Sequence, residues 1–467
     1  MVKLCERIRA FLLLTTPAVW VLLVLAVGAS TYVAMRPRHR LEGGVLWTFS
    51  RPHSPGYIPV LAEWSREYPE KPYELVLLDY NALQNRMLSG FLSGTPVADL
   101  MEVERNIAAR AFTGPLDDVG FVDLTDRLKA DGLFDRLNGP SFSPWTSRGR
   151  IFGLPHDVHP VLLAYRADIV EAAGIDLSGA DTWAKFFAAM RPLMNDTDGD
   201  GRPDRFIINF WPTNAAAIEM LILQAGGSFF DADERPTLDT EINARVLVNL
   251  ATWSAGPARV SVDAPEFSAA GNALKLQGVV LSALTPDWLA GVWKTDLADL
   301  SGKWKLMPLP AWEAGGRRTS VQGGSMLGIP KTTRDFEAAW SLAKRLYFDP
   351  NHIEAFYRQS NIISPLRDSW KLSVFDEPNA YFSGQPVGRL FINQAPHVPA
   401  RTSSPYNTLA LDRVTNVLVT LTDRVAAGQI TDPDQLMPEA HRLLAEEQRQ
   451  VTRLINRNVF LSQPKAP

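Results

Sequence analysis

One cysteine, Cys5, is all that this 467-residue chain contains. It excludes an internal disulfide and a cysteine-based zinc site. It leaves the compartment open, since disulfide-free proteins fold anywhere. Charge is modest, at 21% of residues with a net value of −4. No basic surface of the kind nucleic acid requires is signalled. The seven histidines are scattered and form no metal-type cluster along the chain. There is no glycine-rich phosphate loop ending in Lys-Ser/Thr and no His-Glu-x-x-His pair. Aromatic residues are plentiful at 10%, with 13 Trp. Trp faces suit sugar rings, but most of these side chains are expected in cores. The length suffices for two or three folding units.

At the N-terminus, Lys3, Arg7 and Arg9 precede an apolar run from about Ala10 to Met35. A membrane span takes about 20 apolar residues, so the run is long enough to cross. Arg36, Arg38 and Arg40 follow and nearly balance the flanking charge. We read residues 1–43 as a signal anchor. The alternative is a cleaved signal peptide, with Ala26, Gly28, Ala29 and Ser30 as small residues near the cut. Cys5 precedes the apolar run, which is the wrong side for a lipoprotein cysteine.

From Gly44 the pattern alternates. Gly44–Phe49, Tyr73–Leu78 and Val97–Val103 read as strands, with helices at Ile58–Tyr68 and Asn81–Phe91 between them. This spacing predicts parallel pairing through helical crossovers, with Ser50–Ser54, Asp79–Asn81 and Glu104 around one opening. Val161–Tyr165 reads as a buried strand. Asp157, just before it, either faces a cleft or caps local backbone. Asp181-Thr182-Trp183 is capping chemistry for a helix. Asp196, Asp198, Asp200 and Asp204, with Gly201, begin like a calcium loop, but Ile207 stands where its final Glu belongs. A metal-free Asp/Gly turn is the alternative. Strands are expected at Arg205–Phe210 and Gly278–Leu284, and helices at Ala215–Ala225, Asn243–Ala255, Glu337–Phe348, Thr408–Ala427 and Leu436–Leu454. Trp211 ends a strand, where it can stack on a ligand or pack a lobe.

Four stretches carry a resemblance. They are Gly153-Leu-Pro155-His-Asp157 leading to Tyr165-Arg166-Ala-Asp168 and Gly174; Gly278 through Trp288; Trp304-Lys-Leu-Met-Pro308-Leu-Pro310; and Gly323-Gly324-Ser325-Met-Leu-Gly-Ile329. In order and spacing they resemble the extracellular solute-binding proteins of ABC transporters, family 1, the sugar-binding branch. Ser93-Gly-Thr-Pro-Val-Ala-Asp99 matches that family's opening with one residue inserted.

The resemblance implies a two-lobed α/β periplasmic-binding-protein-like fold of type II, with a ligand cleft between the lobes and a helical C-terminus. Lobe one is expected over 44–154 plus 311–362, and lobe two over 155–310 plus 363–467. The crossings are expected near Leu154–Pro155 and Pro308–Pro310, with parallel sheets on both sides. The resemblance also implies an acidic ligand contact at Glu104. Arg86 is either a basic contact or a solvent-facing helix residue. Asp157 supplies an acceptor at the crossing, Trp288 a stacking face, and Gly324 and Ser325 backbone donors. Trp211 joins this set as an aromatic candidate.

The implied function is extracytoplasmic or periplasmic capture of a sugar or oligosaccharide for permease subunits, without catalysis, beside the inner membrane. No cofactor is expected beyond the calcium possibility. Two alternatives stand: an anchored sensor presenting its ligand to a membrane partner, and a carbohydrate hydrolase using Asp99 with Glu102, or Glu102 with Glu104.

Overall fold

The computed structural model describes residues 16–35, 43–196, 199, 201, 203–430 and 432–458. The chain divides into two units, Met1–Gly43 and Gly44–Pro467. The first contains the helix Pro17–Met35, apolar along its length and without an acidic first turn or basic last turn. The expected run began at Ala10, outside the described residues. Among the described residues no helix is long and apolar enough to cross a membrane.

The second unit is built on two sheets. Three strands open the first: β1 (Gly44–Thr48), β2 (Tyr73–Leu77) and β3 (Leu100–Glu104). They pair in parallel, with Leu46 opposite Leu75 on one side and Leu100 on the other. Parallel neighbours need crossovers, and two helices supply them. Helix Ser54–Glu67 buries Tyr57, Val60, Leu61 and Trp64 at helical spacing. Helix Tyr80–Ser93 starts where Asp79 accepts the amides of Asn81 and Ala82, and stops at Gly94 with φ +64°. The sheet is completed by two antiparallel strands from further along, β4 (Leu154–Pro155) and β9 (Ser325–Gly328).

The second sheet centres on β5 (Pro160–Arg166), six of whose seven residues are buried. Its neighbours are β6 (Ser282–Pro286), β7 (Trp304–Pro308) and β8 (Ser320–Val321). All three run antiparallel to β5, with Ala283 and Leu306 both facing Ala164 and Ser320 facing Val161. This differs from the parallel pattern expected on both sides. A buried apolar run carries no direction of pairing, so β5 looked the same for either arrangement. The expected strand from Gly278 begins only at Ser282. Gly278 has φ +76° and turns the chain out of helix Ala269–Leu276. The expected Arg205–Phe210 strand shortens to Ile208–Asn209, paired with Ser261–Val262.

The chain passes from the first sheet to the second between Pro155 and Pro160, and returns between Val321 and Ser325. The return was expected at Pro308–Pro310. Those residues end β7, and the chain stays with the second sheet until β8 has paired. One hydrophobic core reaches both sheets and includes Leu46, Leu162, Leu306, Phe356 and Phe375. The expected lobe division at residues 362 and 363 therefore runs through a single core.

A second core lies under β5. It joins Val161 and Leu163 to helices Trp183–Met190, Ala215–Ala225 and Glu241–Ser254. The long helices Asn407–Ala426 and Pro433–Asn456 pack onto it through Val414, Leu418, Leu421, Leu444 and Val451. Trp64, Trp145, Trp183, Trp253, Trp293, Trp304 and Trp340 are buried, so most of the tryptophan content is structural.

Candidate ligand-binding site

The C-terminal ends of β1 and β3 open toward the segments that cross between the sheets. There a cavity of about 480 Å³ is lined by Phe49, His53, Glu104 and Ser325 from the strand ends of the first sheet, by His159 and Gln322–Gly324 from the two crossings, and by Trp288. This volume falls within the range of small-molecule sites. Helix Asp287–Asp296 adds Gly291, Val292 and Thr295.

Four residues proposed from sequence, Glu104, Trp288, Gly324 and Ser325, line this cavity. Glu104 is the cap of helix Arg105–Ala111. Its Oε2 accepts the Asn106 amide at 2.7 Å and the Tyr80 hydroxyl at 2.8 Å, and its Oε1 accepts Asn106 Nδ2 at 3.2 Å. The carboxylate is thereby held in one orientation at the cavity wall. Trp288 is half-buried, and its Nε1 donates to Gln322 Oε1 at 2.9 Å, which fixes the indole plane. Gly323 and Gly324 have φ +93° and +127°, and a Cβ on Gly323 would stand 3.1 Å from the Trp288 indole nitrogen. Glycine is required here for both conformation and space.

Asp157 does not line the cavity. Its Oδ2 takes His156 Nδ1 at 3.0 Å and His159 Nε2 at 2.9 Å, and its Oδ1 accepts the Ser325 amide at 3.4 Å. The amide expected to serve a ligand thus faces Asp157. Burial alone would raise the Asp157 carboxyl, but the charge of His159 and the two histidine hydrogen bonds outweigh it and hold it well below the usual range. Arg86 is exposed on helix Tyr80–Ser93 and lies away from the cavity. Trp211 is half-buried beyond the Ile208–Asn209 strand and also lies outside it. Of the proposed calcium ligands, Asp198 and Asp200 lie outside the described residues. Asp196 uses Oδ1 for the Gly199 amide and Oδ2 for the Gly201 amide, as in an Asp/Gly turn.

Folding also assembles groups that were invisible in the sequence. The seven histidines formed no cluster along the chain, yet His53, Glu102 and His156 present ligand atoms within 4.8 Å of one another. These atoms take part in a hydrogen-bond network. Glu102 Oε1 meets His53 Nδ1 at 2.6 Å and accepts from the Tyr57 hydroxyl at 2.8 Å, while Oε2 accepts from Thr48. Burial would raise Glu102, but His53, His156 and the Thr48 hydroxyl together outweigh it and hold the carboxyl below its usual value. His156 is kept below the ordinary histidine range by burial and by His53.

A second cluster meets the glycine turn, where the Gly324 carbonyl accepts the Arg105 amide at 3.2 Å. Arg105 forms a largely buried ion pair with Glu219 on helix Ala215–Ala225. Arg401 donates through Nη2 to the Gly323 carbonyl at 2.7 Å. Its Nη1 has no hydrogen-bond partner among the described residues. Burial, then the charge of Arg105, pushes Arg401 down to about 10. No local motif marks these residues, whose partners lie far along the chain.

The family model for bacterial extracellular solute-binding proteins matches residues 52–351. The arabinooligosaccharide-binding protein of Halalkalibacterium halodurans is 23% identical over 421 residues, covering 87% of this chain and 89% of that protein. The protein of the same name from Bacillus subtilis is 25% identical over 343 residues, covering 72% of this chain and 76% of its own. Among solved structures, the sugar-binding protein MalE of Xanthomonas citri superposes with a TM-score of 0.69 at 16% identity, covering 90% of this chain and all of its own (100%). Two sheets, two crossings, a cavity between them and a helical C-terminus make this the two-lobed type II periplasmic-binding fold, and the chain belongs to the bacterial extracellular solute-binding proteins.

Proposed function

We propose that this protein captures a sugar or short oligosaccharide outside the cytoplasm and hands it to the permease subunits of an ABC transporter. The observation that carries the reading is the cavity between the sheets, with an immobilised indole on one wall and an oriented carboxylate on the other. An indole face takes the apolar side of a sugar ring, and a carboxylate accepts from its hydroxyls. Glu104, Trp288 and the Gly323–Ser325 segment are the contacts of choice, with His159 beside them. The named relatives bind arabinooligosaccharides, which makes pentose oligomers the first ligands to try.

Binding without chemistry is the reading we adopt. A glycosidase needs two carboxyls facing one bond. Glu102 is fully buried and satisfied by Thr48, His53 and Tyr57, while Glu104 is tied to a helix start. The lobes divide at the two crossings, 156–159 and 322–324, so that closure rotates one sheet against the other about these segments. The N-terminal apolar segment holds the protein at the membrane. Isothermal titration with arabinose, arabinooligosaccharides and maltotriose tests the function. Saturable binding of at least one of them is expected, and binding of none, with a cooperatively folded protein, overturns it. Recovery of the full-length chain in the soluble fraction of lysed cells overturns the anchor.

A further inference from the structure

Phe267 stands on the loop that leads into helix Ala269–Leu276. It is 66% exposed and has φ +59°. A bulky side chain at positive φ is strained and persists only where its surroundings over-determine it. An exposed phenyl ring gains little from burial to offset that strain, so folding alone gives no reason for phenylalanine here.

The loop around it is clamped. Glu266 accepts from Asn209 Nδ2 and Trp293 Nε1, both at 3.1 Å, and pairs with Lys275 Nζ at 3.2 Å. Lys275 is fully buried and also donates to the Ala264 carbonyl at 3.0 Å. On the other side, Ser268 caps the helix through the Gly271 amide at 3.0 Å. The ring is therefore preset in solvent by fixed neighbours.

That ring is parallel to Trp288, with an interplanar angle of 8° and centroids 6.2 Å apart. A well-overlapped pair would sit near the short end of the roughly 4.5–7 Å range for aromatic contacts. Parallel planes at this spacing fit the offset-stacked arrangement that aromatic pairs prefer over a face-to-face sandwich. Trp288 lines the cavity and Phe267 does not, so the pair carries aromatic surface from the cavity wall to an exposed ring.

We infer that Phe267 is a second aromatic platform of the ligand site, which extends it from one ring on Trp288 to a chain of at least two sugar units. The inference rests on the reading of the Trp288 cavity as a sugar site. A monosaccharide fits within the cavity and does not reach Phe267. An oligosaccharide protrudes and lays its outer unit on the phenyl face.

The test is calorimetric titration of the full chain, and of its Phe267→Asn, Phe267→Trp and Trp288→Ala variants, with arabinose and its short oligomers. Asparagine accepts positive φ, so the loop is kept while the ring is removed. Phe267→Asn is expected to weaken oligomer binding by roughly tenfold and to change arabinose binding by less than about twofold. Phe267→Trp retains oligomer affinity. Trp288→Ala weakens both ligand classes. Phe267→Asn binding every length like the parent, or losing affinity equally at every length, overturns the platform and leaves the sugar site standing. Parent-like binding with slowed uptake in cells makes the ring a permease contact and also overturns the platform. A parent that binds neither these sugars nor maltotriose overturns the sugar-site reading itself, and the platform with it; a parent that binds maltotriose alone moves the same comparison of variants to maltose and maltotriose.

Discussion

The His159 imidazole meets the Asp287 carboxylate through Nδ1 at 2.6 Å. Its other nitrogen meets Asp157 Oδ2 at 2.9 Å. Two carboxylates on two ring nitrogens require both nitrogens to donate, so the ring is an imidazolium. Burial would lower its pKa, but Asp157 and then Asp287 push it up to about 10. Asp287 opens the helix whose second residue is Trp288, and its Oδ1 accepts the Trp288 amide at 2.8 Å. The charged ring thus fastens the first crossing to the residue that carries the stacking face.

The latch sets a pH dependence. A histidine raised by folding adds stability that is complete below its unfolded pKa of about 6.5. That stability is lost as pH rises through about 10. The urea midpoint of the parent is expected to decline between these limits, and that of His159→Gln to start lower and decline less. Parallel curves for the two proteins would remove the latch.

Trp288→Ala should weaken ligand binding by about tenfold or more, since a stacking aromatic in a hot spot contributes about 2 kcal/mol. A core Trp would cost about 3–5 kcal/mol of stability. Titration and a thermal melt on the same variant separate the two roles. Unchanged affinity with a large fall in melting temperature would make Trp288 a core residue.

Glu219 is buried and Arg105 largely so, with side-chain exposures of 7% and 13%. Removing either one leaves the other charge without its partner, at a cost of about 3–5 kcal/mol. Arg105→Met combined with Glu219→Leu should recover most of that loss. Chemical denaturation of the two single variants and the double variant forms the cycle. Additive losses would show that the pair is not coupled.

Gly291→Ala would bring a Cβ to 2.3 Å from the Ser360 carbonyl oxygen, a backbone atom that cannot swing aside. Such overpacking costs about 1–3 kcal/mol. Both residues line the cavity, so ligand affinity should fall along with the melting temperature. A parent-like melt and a parent-like affinity would show that the helix shifts freely.

No product should be released from a panel of oligosaccharides after prolonged incubation. Turnover that is abolished by Glu104→Gln would restore the hydrolase alternative.

Much of the first sheet was legible because its signals are local. The alternation of strand and helix from Gly44 to Glu104 and, further along, the Thr182 cap each act within a turn or two of chain. Trp288 and Glu104 were legible for a related reason: each stands at a strand end, and in stacked strands and helices those ends gather at one opening. Asp157 was read as an acceptor for a ligand, but its carboxylate is taken by His156 and His159 beside it in the sequence and by the Ser325 amide that arrives when the chain returns.

The sequence by itself therefore determined the elements, their order and the resemblance to a sugar-binding family. The direction of pairing around β5 was left to tertiary structure, as was the return through Gln322–Gly324. So were the meetings of His53 with Glu102 and His156, of His159 with Asp287, and of Arg105 with Glu219. The reason is range. Helix caps and strand periodicity are written in neighbouring residues, whereas a bond between side chains far apart in the chain exists only once both sheets have packed and excluded water from between them.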